Sequence, residues 1–399
     1  MFRISLEMLL ASLSGHLAVF PHQPGDGLGV LVGHGVHDVD VCRQIADSLA
    51  HFSHSFLVGV FFTLLSHGVF QICGRHKRGV KNWRQRIAIS DKIRYNTNNP
   101  APHGCGRGSG GAEKQEASMN SCDKKQLEIT AAKVRLGIIE GVYNAKSGHP
   151  GGSLSAADIF TYLYFKEMRV DPANPKCPDR DRFVLSKGHC APGLYAALAE
   201  RGYFSAEELK SLRHIGAMLQ GHPDMKGTPG VDMSSGSLGQ GVSAAVGMAL
   251  AGKLDEKDYR VYSLLGDGEI EEGQIWEAAM FAGFRKLDNL CVIVDNNNLQ
   301  IDGPIDEVCS PYPIDKKFES FNFHVINIDG NDFDEIKRAF DEARATKGMP
   351  TAIIAHTVKG KGVSYMENSV GWHGKAPNDE EYAVAMEDLR KAGEALCQK

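Results

Sequence analysis

Short apolar runs alternate with helical patterns over the last two thirds of the chain. Almost every position within a run is apolar, so both faces of each strand are expected to be covered. Strands that alternate with helices predict an α/β fold with a mostly parallel sheet and helices on both faces. The predicted strands are 182–186, 261–265, 290–294, 324–328 and 351–356, and the predicted helices cover 190–201, 239–253, 271–284 and 332–346.

A further helix is predicted near Met119. Its apolar positions recur at spacings of three and four residues, which places them on one helical face. Before the helix over 332–346, Asn331 or Asp332 is expected to act as the N-cap. The face of the first helix is formed by Leu127, Ala131, Val134, Ile138 and Val142.

Residues 1–118 show no sustained helical or strand period. The apolar run 56–65 is too short to span a bilayer, and the basic stretch 75–94 is more typical of an unstructured run than of a nucleic-acid site. Histidine pairs in this region have no companion cysteine or carboxylate set that would complete a metal site. We interpret 1–118 as a poorly structured extension that need not be native, and 119–399 as the functional domain, with Met119 as the natural start.

Composition and charge bear on the possible ligands and on the cellular compartment of the protein. The chain has 399 residues and a net charge of −5, which gives no global indication of nucleic-acid binding. Nine cysteines, odd in number and without a C-x-x-C pair, favour a reducing compartment over a disulfide framework. We therefore expect a cytoplasmic protein that does not act on membranes.

Polar residues follow two of the predicted strands directly. Asp267 comes after the strand 261–265, and Asn297 comes just after 290–294. If the two strands are neighbours, these side chains meet at the carboxyl edge of the sheet, where ligands collect in such folds. Carboxylate, amide and backbone carbonyl oxygens suit Mg²⁺, and Gly266 and Gly268 allow a phosphate to approach the backbone. A surface turn followed by an asparagine-rich loop is the alternative interpretation.

The spacing of these groups resembles a thiamine-diphosphate-binding motif, in which GDG is followed after 27 residues by NN. Several other motifs occur in the order found in transketolases, and the resemblance covers roughly residues 122–395. They are SGHPGG (147–152), SKGH (186–189), GHPD (221–224), GSLGQG (236–241), GDGEIEEG (266–273) and GWHGKAP (371–377). The resemblance implies the thiamine-diphosphate-binding fold, thiamine diphosphate as cofactor, and Mg²⁺ or another divalent cation such as Ca²⁺ or Mn²⁺.

The resemblance also assigns roles to individual residues. It implies that the metal is held by Asp267, Asn297 and the backbone carbonyl of Leu299. It implies that five residues contact the sugar or take part in proton transfer, namely His149, His189, His222, Glu272 and His373. The cofactor contacts that it implies are His189, Gly236, Ser237, Leu238, Asp267, Gly268, Asn297, Lys359 and His373.

Four of these residues also have a structural interpretation. His149 could cap a helix, and His222 could belong to a simple turn. Lys359, in KGKG, could be a solvated loop charge. Glu272 could be an ordinary carboxylate at a helix N-terminus, where it interacts with the helix dipole.

The resemblance further implies a two-chain enzyme. The chain runs only about 25 residues beyond His373, whereas a complete transketolase continues into a pyrimidine-binding domain. We therefore expect the N-terminal subunit of a split transketolase, joined by a C-terminal subunit in a dimer of heterodimers. The expected reaction transfers a two-carbon ketol unit from a ketose phosphate to an aldose phosphate in the pentose phosphate pathway.

Two other functions stay open at this stage. One is a different thiamine diphosphate enzyme, such as deoxyxylulose-phosphate synthase or a pyruvate dehydrogenase component, although SGHPGG and GSLGQG favour transketolase. The other is a non-catalytic cofactor-binding module.

Overall fold

The computed structural model describes residues 119–398. The interpretation of 1–118 as an extension, and of Met119 as the natural start, concerns a segment that lies outside the described residues. The described part contains one five-stranded sheet in the order β1-β2-β3-β5-β4, and every neighbouring pair is parallel. The strands are β1 (Arg182–Leu185), β2 (Val261–Gly266), β3 (Leu290–Asn296), β4 (His324–Asp329) and β5 (Thr351–His356).

All five predicted strands are confirmed, each to within two residues of its predicted end. The helices predicted between them are also confirmed. Their observed bounds are α4 (Ala191–Arg201), α5 (Gln240–Leu254), α6 (Gly273–Phe284) and α9 (Phe333–Ala345), and the helix predicted near Met119 is α1 (Ser121–Ala145). The remaining α-helices are α2 (Pro150–Ser155), α3 (Ala157–Tyr162), α7 (Ile305–Val308), α8 (Ile314–Ser320) and α10 (Asp379–Gln398).

Short non-α helices complete the chain path. A π-helix, Leu163–Glu167, continues α3, and four 3₁₀ segments occupy connections between the larger elements. Two of these segments border the candidate site directly, because they follow the ends of β1 and β2. The 3₁₀ segments are Gly188–Cys190, Ala206–Ser211, Glu269–Glu271 and Val370–Trp372.

Helices cover both faces of the sheet, as the sequence pattern predicts. Successive residues of a strand point to opposite faces, and the buried side chains accordingly divide into two apolar clusters. Leu264 of β2 packs on the side of α1 and α4, whereas its neighbour Leu265 packs on the side of α5 and α6. The predicted apolar face of α1 is buried throughout, with Val134, Ile138 and Val142 fully inaccessible.

Helix termini follow the local chemistry of the sequence. Asp332 is the N-cap of α9, and its side chain accepts the backbone N–H groups of Asp334 and Glu335. This resolves the choice between Asn331 and Asp332. Asn331 instead joins two loops, because it donates to Asp158 at 2.8 Å and accepts from the N–H of Val358 at 3.0 Å.

Some large apolar side chains of the described region remain on the surface. On α6 these are Met280, Phe281 and Phe284, which are 59%, 44% and 76% exposed, and Leu254 at the end of the adjacent α5 is 69% exposed. No helix among residues 119–398 combines the length and apolar character needed to cross a bilayer.

The start of α5 lies unusually close to the end of β1. A methyl group placed on Gly241 would lie 2.6 Å from the Cα of Ser186, a backbone atom that cannot rotate away. The last glycine of GSLGQG therefore sets the distance between α5 and the residues that follow β1.

We expect Gly241→Ala to lower the free energy of unfolding by about 1–3 kcal/mol, because the added methyl group forces backbone atoms apart. Gly247→Ala, on the exposed side of the same helix, is the matched control. Nothing lies within 4 Å of its added methyl group, and the gain in helix propensity should raise stability by up to about 1 kcal/mol. Urea unfolding followed by circular dichroism measures both. Equal effects of the two substitutions would contradict the proposed close contact.

Candidate functional site

The candidate site begins where β2 and β3 end side by side. In the register of this parallel pair Gly266 lies opposite Asp295. The backbone N–H of Asp267 continues the ladder by donating to the carbonyl of Asp295 at 3.3 Å. Asp267 and the residues after β3 therefore leave the sheet at the same edge, as the positions of the polar residues predict.

The carboxylate of Asp267 is buried at this edge, with the residue only 2% exposed. It accepts backbone N–H groups from Asn298 at 2.6 Å and from Gly268 at 2.9 Å. Burial, with the neighbouring charge of Asp295, raises the pKa of Asp267 to about 7, although the two N–H groups and Lys359 act in the opposite direction. A buried carboxylate with a raised pKa is a group whose charge a bound cation would stabilise.

The loop after β3 presents further oxygen atoms. The side chain of Asn297 donates to Asp295 Oδ2 at 3.0 Å, and its Oδ1 accepts the N–H of Leu299 at 3.2 Å. Asn298 turns the chain through the left-handed region, with φ of 63°. This turn directs its own N–H to Asp267, so the loop and the end of β2 are joined by a hydrogen bond.

Lys359 lies inside the site and is only 2% exposed, so its interpretation as a solvated loop charge is wrong. Its ammonium donates to the Leu299 carbonyl at 2.6 Å and lies 3.0 Å from His373 Nδ1. Burial lowers the pKa of Lys359, while Asp267 acts in the opposite direction. The Leu299 carbonyl, one of the predicted metal ligands, thus already interacts with a cationic group.

Three imidazoles form a compact cluster above this edge. The ring centroids of His149, His189 and His373 are separated by 5.2, 5.4 and 5.3 Å. Burial lowers the pKa of all three, assisted by nearby positive groups, to about 4 for His149 and about 3 for His373. The three rings are therefore neutral at pH 7, and each can accept a proton at one nitrogen while donating at the other.

His149 has a buried nitrogen without a partner. It is the N-cap residue of α2 but makes no side-chain capping bond, so the capping interpretation is not supported. Its Nδ1 is inaccessible and has no hydrogen-bond partner within the described part of the chain. Since buried polar atoms are nearly always paired, this nitrogen suits a site that is completed by a ligand.

These groups surround a cavity of about 280 Å³. Most residues singled out from the sequence lie on its wall, whereas Ser237, His222 and Glu272 do not. His222 packs against Gly236, and Glu272 is an exposed residue beside Gly239. The predicted residues on the wall are His149, His189, Gly236, Leu238, Asp267, Gly268, Asn297, Leu299, Lys359 and His373.

Sequence reasoning missed three charged groups around this cavity. Lys187 and Glu269 lie on its wall, and Asp295 pairs with Lys187 in the layer beneath. The carboxylate of Glu269 accepts from Ser186 Oγ at 2.5 Å and from the N–H groups of Gly239 and Gly266 at 2.9 and 3.0 Å. Lys187 lies within the motif SKGH, and Glu269 lies within GDGEIEEG. Their positions in these motifs could have indicated that they belong to the site.

Comparison with known proteins agrees with this geometry. The family described as "Transketolase, thiamine diphosphate binding domain" matches residues 126–392. The chain belongs to the transketolase family.

Two relatives of this transketolase-family chain have nearly the length of the matched region. The 6-deoxy-6-sulfo-D-fructose transketolase subunit SqwG of Clostridium sp. (strain MSTE9) is 47% identical over 267 residues, which is 67% of this chain and 97% of that protein. An apulose-4-phosphate transketolase subunit of Phocaeicola vulgatus is 44% identical over 270 residues, which is 68% of this chain and 96% of that protein.

A solved structure shows the same fold in a longer family member. Transketolase from Campylobacter jejuni superposes with a TM-score of 0.63 at 34% identity, over 68% of this chain and 45% of that one. The chain therefore spans less than half of this longer transketolase, and it carries the family's thiamine diphosphate binding domain.

We expect the imidazoles of His149, His189 and His373 to remain neutral well below pH 6.5 in the metal-free protein. Their pKa values are lowered in the folded state, so the unfolded chain binds more protons as the pH falls below 6.5. The free energy of unfolding should therefore decrease between pH 6.5 and about 4. Ring ¹⁵N NMR titration tests the protonation, and urea unfolding at each pH tests the linkage. Protonation of any of the three rings near pH 6.5 would refute this prediction.

Proposed function

We propose that this chain is the diphosphate-binding subunit of a two-chain transketolase that transfers a two-carbon ketol unit between sugar phosphates. The observation that carries the proposal is the grouping of Asp267, Asn297 and the Leu299 carbonyl beneath three neutral imidazoles. Hard oxygen donors and hydroxyl-binding groups meet there in one cavity of the transketolase family's thiamine diphosphate domain.

In this proposal a divalent cation is held by Asp267, Asn297 and the carbonyl oxygen of Leu299. One carboxylate and two neutral oxygens suit Mg²⁺, which keeps positions for water and phosphate oxygens, and Ca²⁺ and Mn²⁺ accept the same donors. The raised pKa of the Asp267 carboxyl supports the assignment, because a bound cation would offset the burial that opposes its charge.

The diphosphate of the cofactor would be held by Gly268, His189 and Lys359, and its rings by Gly236, Ser237, Leu238 and His373. The buried ammonium of Lys359 offers an opposite charge to the diphosphate, and Gly268 has no side chain to block its approach. When bound, thiamine diphosphate supplies a nucleophilic carbon and an electron sink for breaking and forming a carbon–carbon bond. Fixing this carbon in one orientation is the main task of the residues around it.

The imidazoles would serve the hydroxyl groups of the sugar. A neutral imidazole accepts a hydroxyl proton at one nitrogen and can later return it, which matches ketol transfer in both directions. The unpaired Nδ1 of His149 is available for such a hydrogen bond. His222, more exposed and farther out, would contact the sugar at the cavity mouth.

The second subunit is inferred from relatives and from the exposed surface. The relatives of matching length are themselves named as transketolase subunits. Glu272 and Ser237 are exposed in the single chain, so they are free to act toward a neighbouring chain. We infer a C-terminal subunit that completes the pyrimidine end of the site, a dimer of heterodimers, and a cytoplasmic role in the pentose phosphate pathway.

Asp267→Ala should abolish Mg²⁺-dependent binding of thiamine diphosphate, because the substitution removes the only carboxylate of the proposed ligand set. Isothermal titration of the cofactor with and without Mg²⁺ measures this. The control is Asp302→Ala, an exposed carboxylate in the loop that follows the site, which should leave binding unchanged. Metal-dependent binding that survives in the Asp267 variant would reject the metal assignment.

The chain alone should show no measurable ketol transfer, and addition of a C-terminal transketolase subunit should restore it. Transfer from xylulose 5-phosphate to ribose 5-phosphate is followed by product analysis, with 6-deoxy-6-sulfofructose and apulose 4-phosphate as further substrates. Pyruvate is included as the donor for the related synthase and dehydrogenase reactions. Turnover by the purified single chain, or turnover of pyruvate alone, would overturn the proposal.

A further inference from the structure

A fully buried ion pair lies directly beneath the proposed metal site. Asp295 is 0% exposed and Lys187 is 1% exposed, and the Lys187 ammonium hydrogen-bonds Asp295 Oδ2. Lys187 also donates to the carbonyl of Gly152 at 2.9 Å. Neither charge has a role in the function proposed above.

Four donors surround the Asp295 carboxylate, three at Oδ2 and one at Oδ1. Oδ2 accepts from Lys187, from Ser155 Oγ at 2.6 Å and from Asn297 Nδ2 at 3.0 Å, and Oδ1 accepts from Thr357 Oγ1. These donors come from α2, from the segments after β1 and β5, and from the loop after β3. Burial opposes the charge of Asp295, but Lys187 and the other donors outweigh it and hold its pKa below the ordinary value.

Stability alone does not account for this arrangement. Buried ion pairs can often be replaced by apolar residues with little change in stability, because their attraction barely offsets the cost of desolvation. Among the side-chain hydrogen bonds of this pair in the described residues, one nevertheless reaches a proposed metal ligand, at the side-chain nitrogen of Asn297. The effect of Asp295 on the orientation of the Asn297 side chain therefore needs a physical account.

The orientation of the Asn297 amide follows from its neighbours. Its Nδ2 faces the carboxylate of Asp295, so its Oδ1 must point the other way, toward the N–H of Leu299. A flipped amide would bring two acceptors together at Asp295 and two donors together at Leu299, leaving buried groups unpaired. Asp295 therefore fixes which end of this amide is offered as an oxygen donor.

The same contacts separate the roles of two neighbouring carboxylates. Asp267 directly follows β2 and Asp295 lies near the end of the adjacent β3, but Asp267 lies on the cavity wall and Asp295 does not. Lys187 balances the charge of Asp295, and the four donors occupy its oxygens. Of these two aspartates, Asp267 is therefore the one that faces the cavity.

We propose that Asp295, held by Lys187, is a positioning residue that locks the Asn297 amide with its oxygen toward the metal and is itself withheld from metal coordination. This inference rests on the metal site of the proposed function. Hydrogen-bond partners of metal ligands commonly change metal affinity about ten- to hundredfold when they are removed, so metal affinity is the appropriate measurement.

The test compares two double variants that both remove the buried charges. Lys187→Met with Asp295→Asn keeps an acceptor oxygen for Asn297 Nδ2, and Thr357 can accept from the new amide. Lys187→Met with Asp295→Leu removes that acceptor and keeps similar volume. Binding of Mn²⁺ in the presence of inorganic diphosphate is measured on the full chain from the electron paramagnetic resonance signal of free Mn²⁺, and urea unfolding is measured in parallel.

We expect the asparagine double variant to bind Mn²⁺ within about threefold of the unmodified chain, and the leucine double variant to bind about ten- to hundredfold more weakly. Equal affinities of the two variants, whether both normal or both weak, would overturn the positioning role. If the leucine variant does not fold, Lys187→Met with Asp295→Ala takes its place, because alanine also lacks the acceptor.

Two controls keep this result separate from the proposed function. Asp232→Asn removes the negative charge of a partly buried ion pair with Arg180, beside the start of β1, and it should leave Mn²⁺ affinity unchanged even if stability falls. If the unmodified chain binds no Mn²⁺ with diphosphate, the proposed metal site itself is rejected and the inference falls with it. If the unmodified chain binds Mn²⁺ and all variants bind equally, the inference alone is rejected.

Discussion

The parallel pairing of β2 with β3 is the constraint on which the site depends. Its register sets Gly266 opposite Asp295, and it brings the ends of two strands that are distant in sequence to one edge of the sheet. Parallel strands with helical crossovers leave all their carboxyl ends on the same edge. The oxygen atoms of the proposed metal site then follow within a few residues of those ends, without any long loop to position them.

The electrostatics of the site follow from burial at that edge. Two aspartates and two lysines lie within a small volume from which water is largely excluded, and the buried Glu269 lies on the same cavity wall. The opposite charges of Lys187 and Asp295 stabilise each other. The pKa values of Asp267 and Lys359 are instead shifted toward the neutral forms, because neighbouring groups do not fully offset the burial of their charges. The neutral imidazoles above them add hydrogen-bonding capacity without adding charge. This combination suits a ligand that brings both a cation and an anionic group.

Much of this organisation could be predicted from the sequence because its signals are local. An all-apolar run of five residues identifies a buried strand, and a polar residue directly after it identifies the edge of the sheet. The roles of Lys187, Ser155 and Thr357 around Asp295 could not be predicted in this way. They meet across 62 to 140 residues of sequence, and no period or spacing encodes such a contact. The burial of Lys359 could not be predicted from the local sequence either, because KGKG has the composition of a solvated loop. Only the tertiary structure buries this side chain.

The exposed apolar side chains on α6 and at the end of α5 affect how the protein can be prepared. Met280, Phe284 and Leu254 present apolar area to water, and surfaces of this kind adhere to one another as protein concentration rises. Preparations of the chain should therefore benefit from low protein concentration and mild solubilising additives.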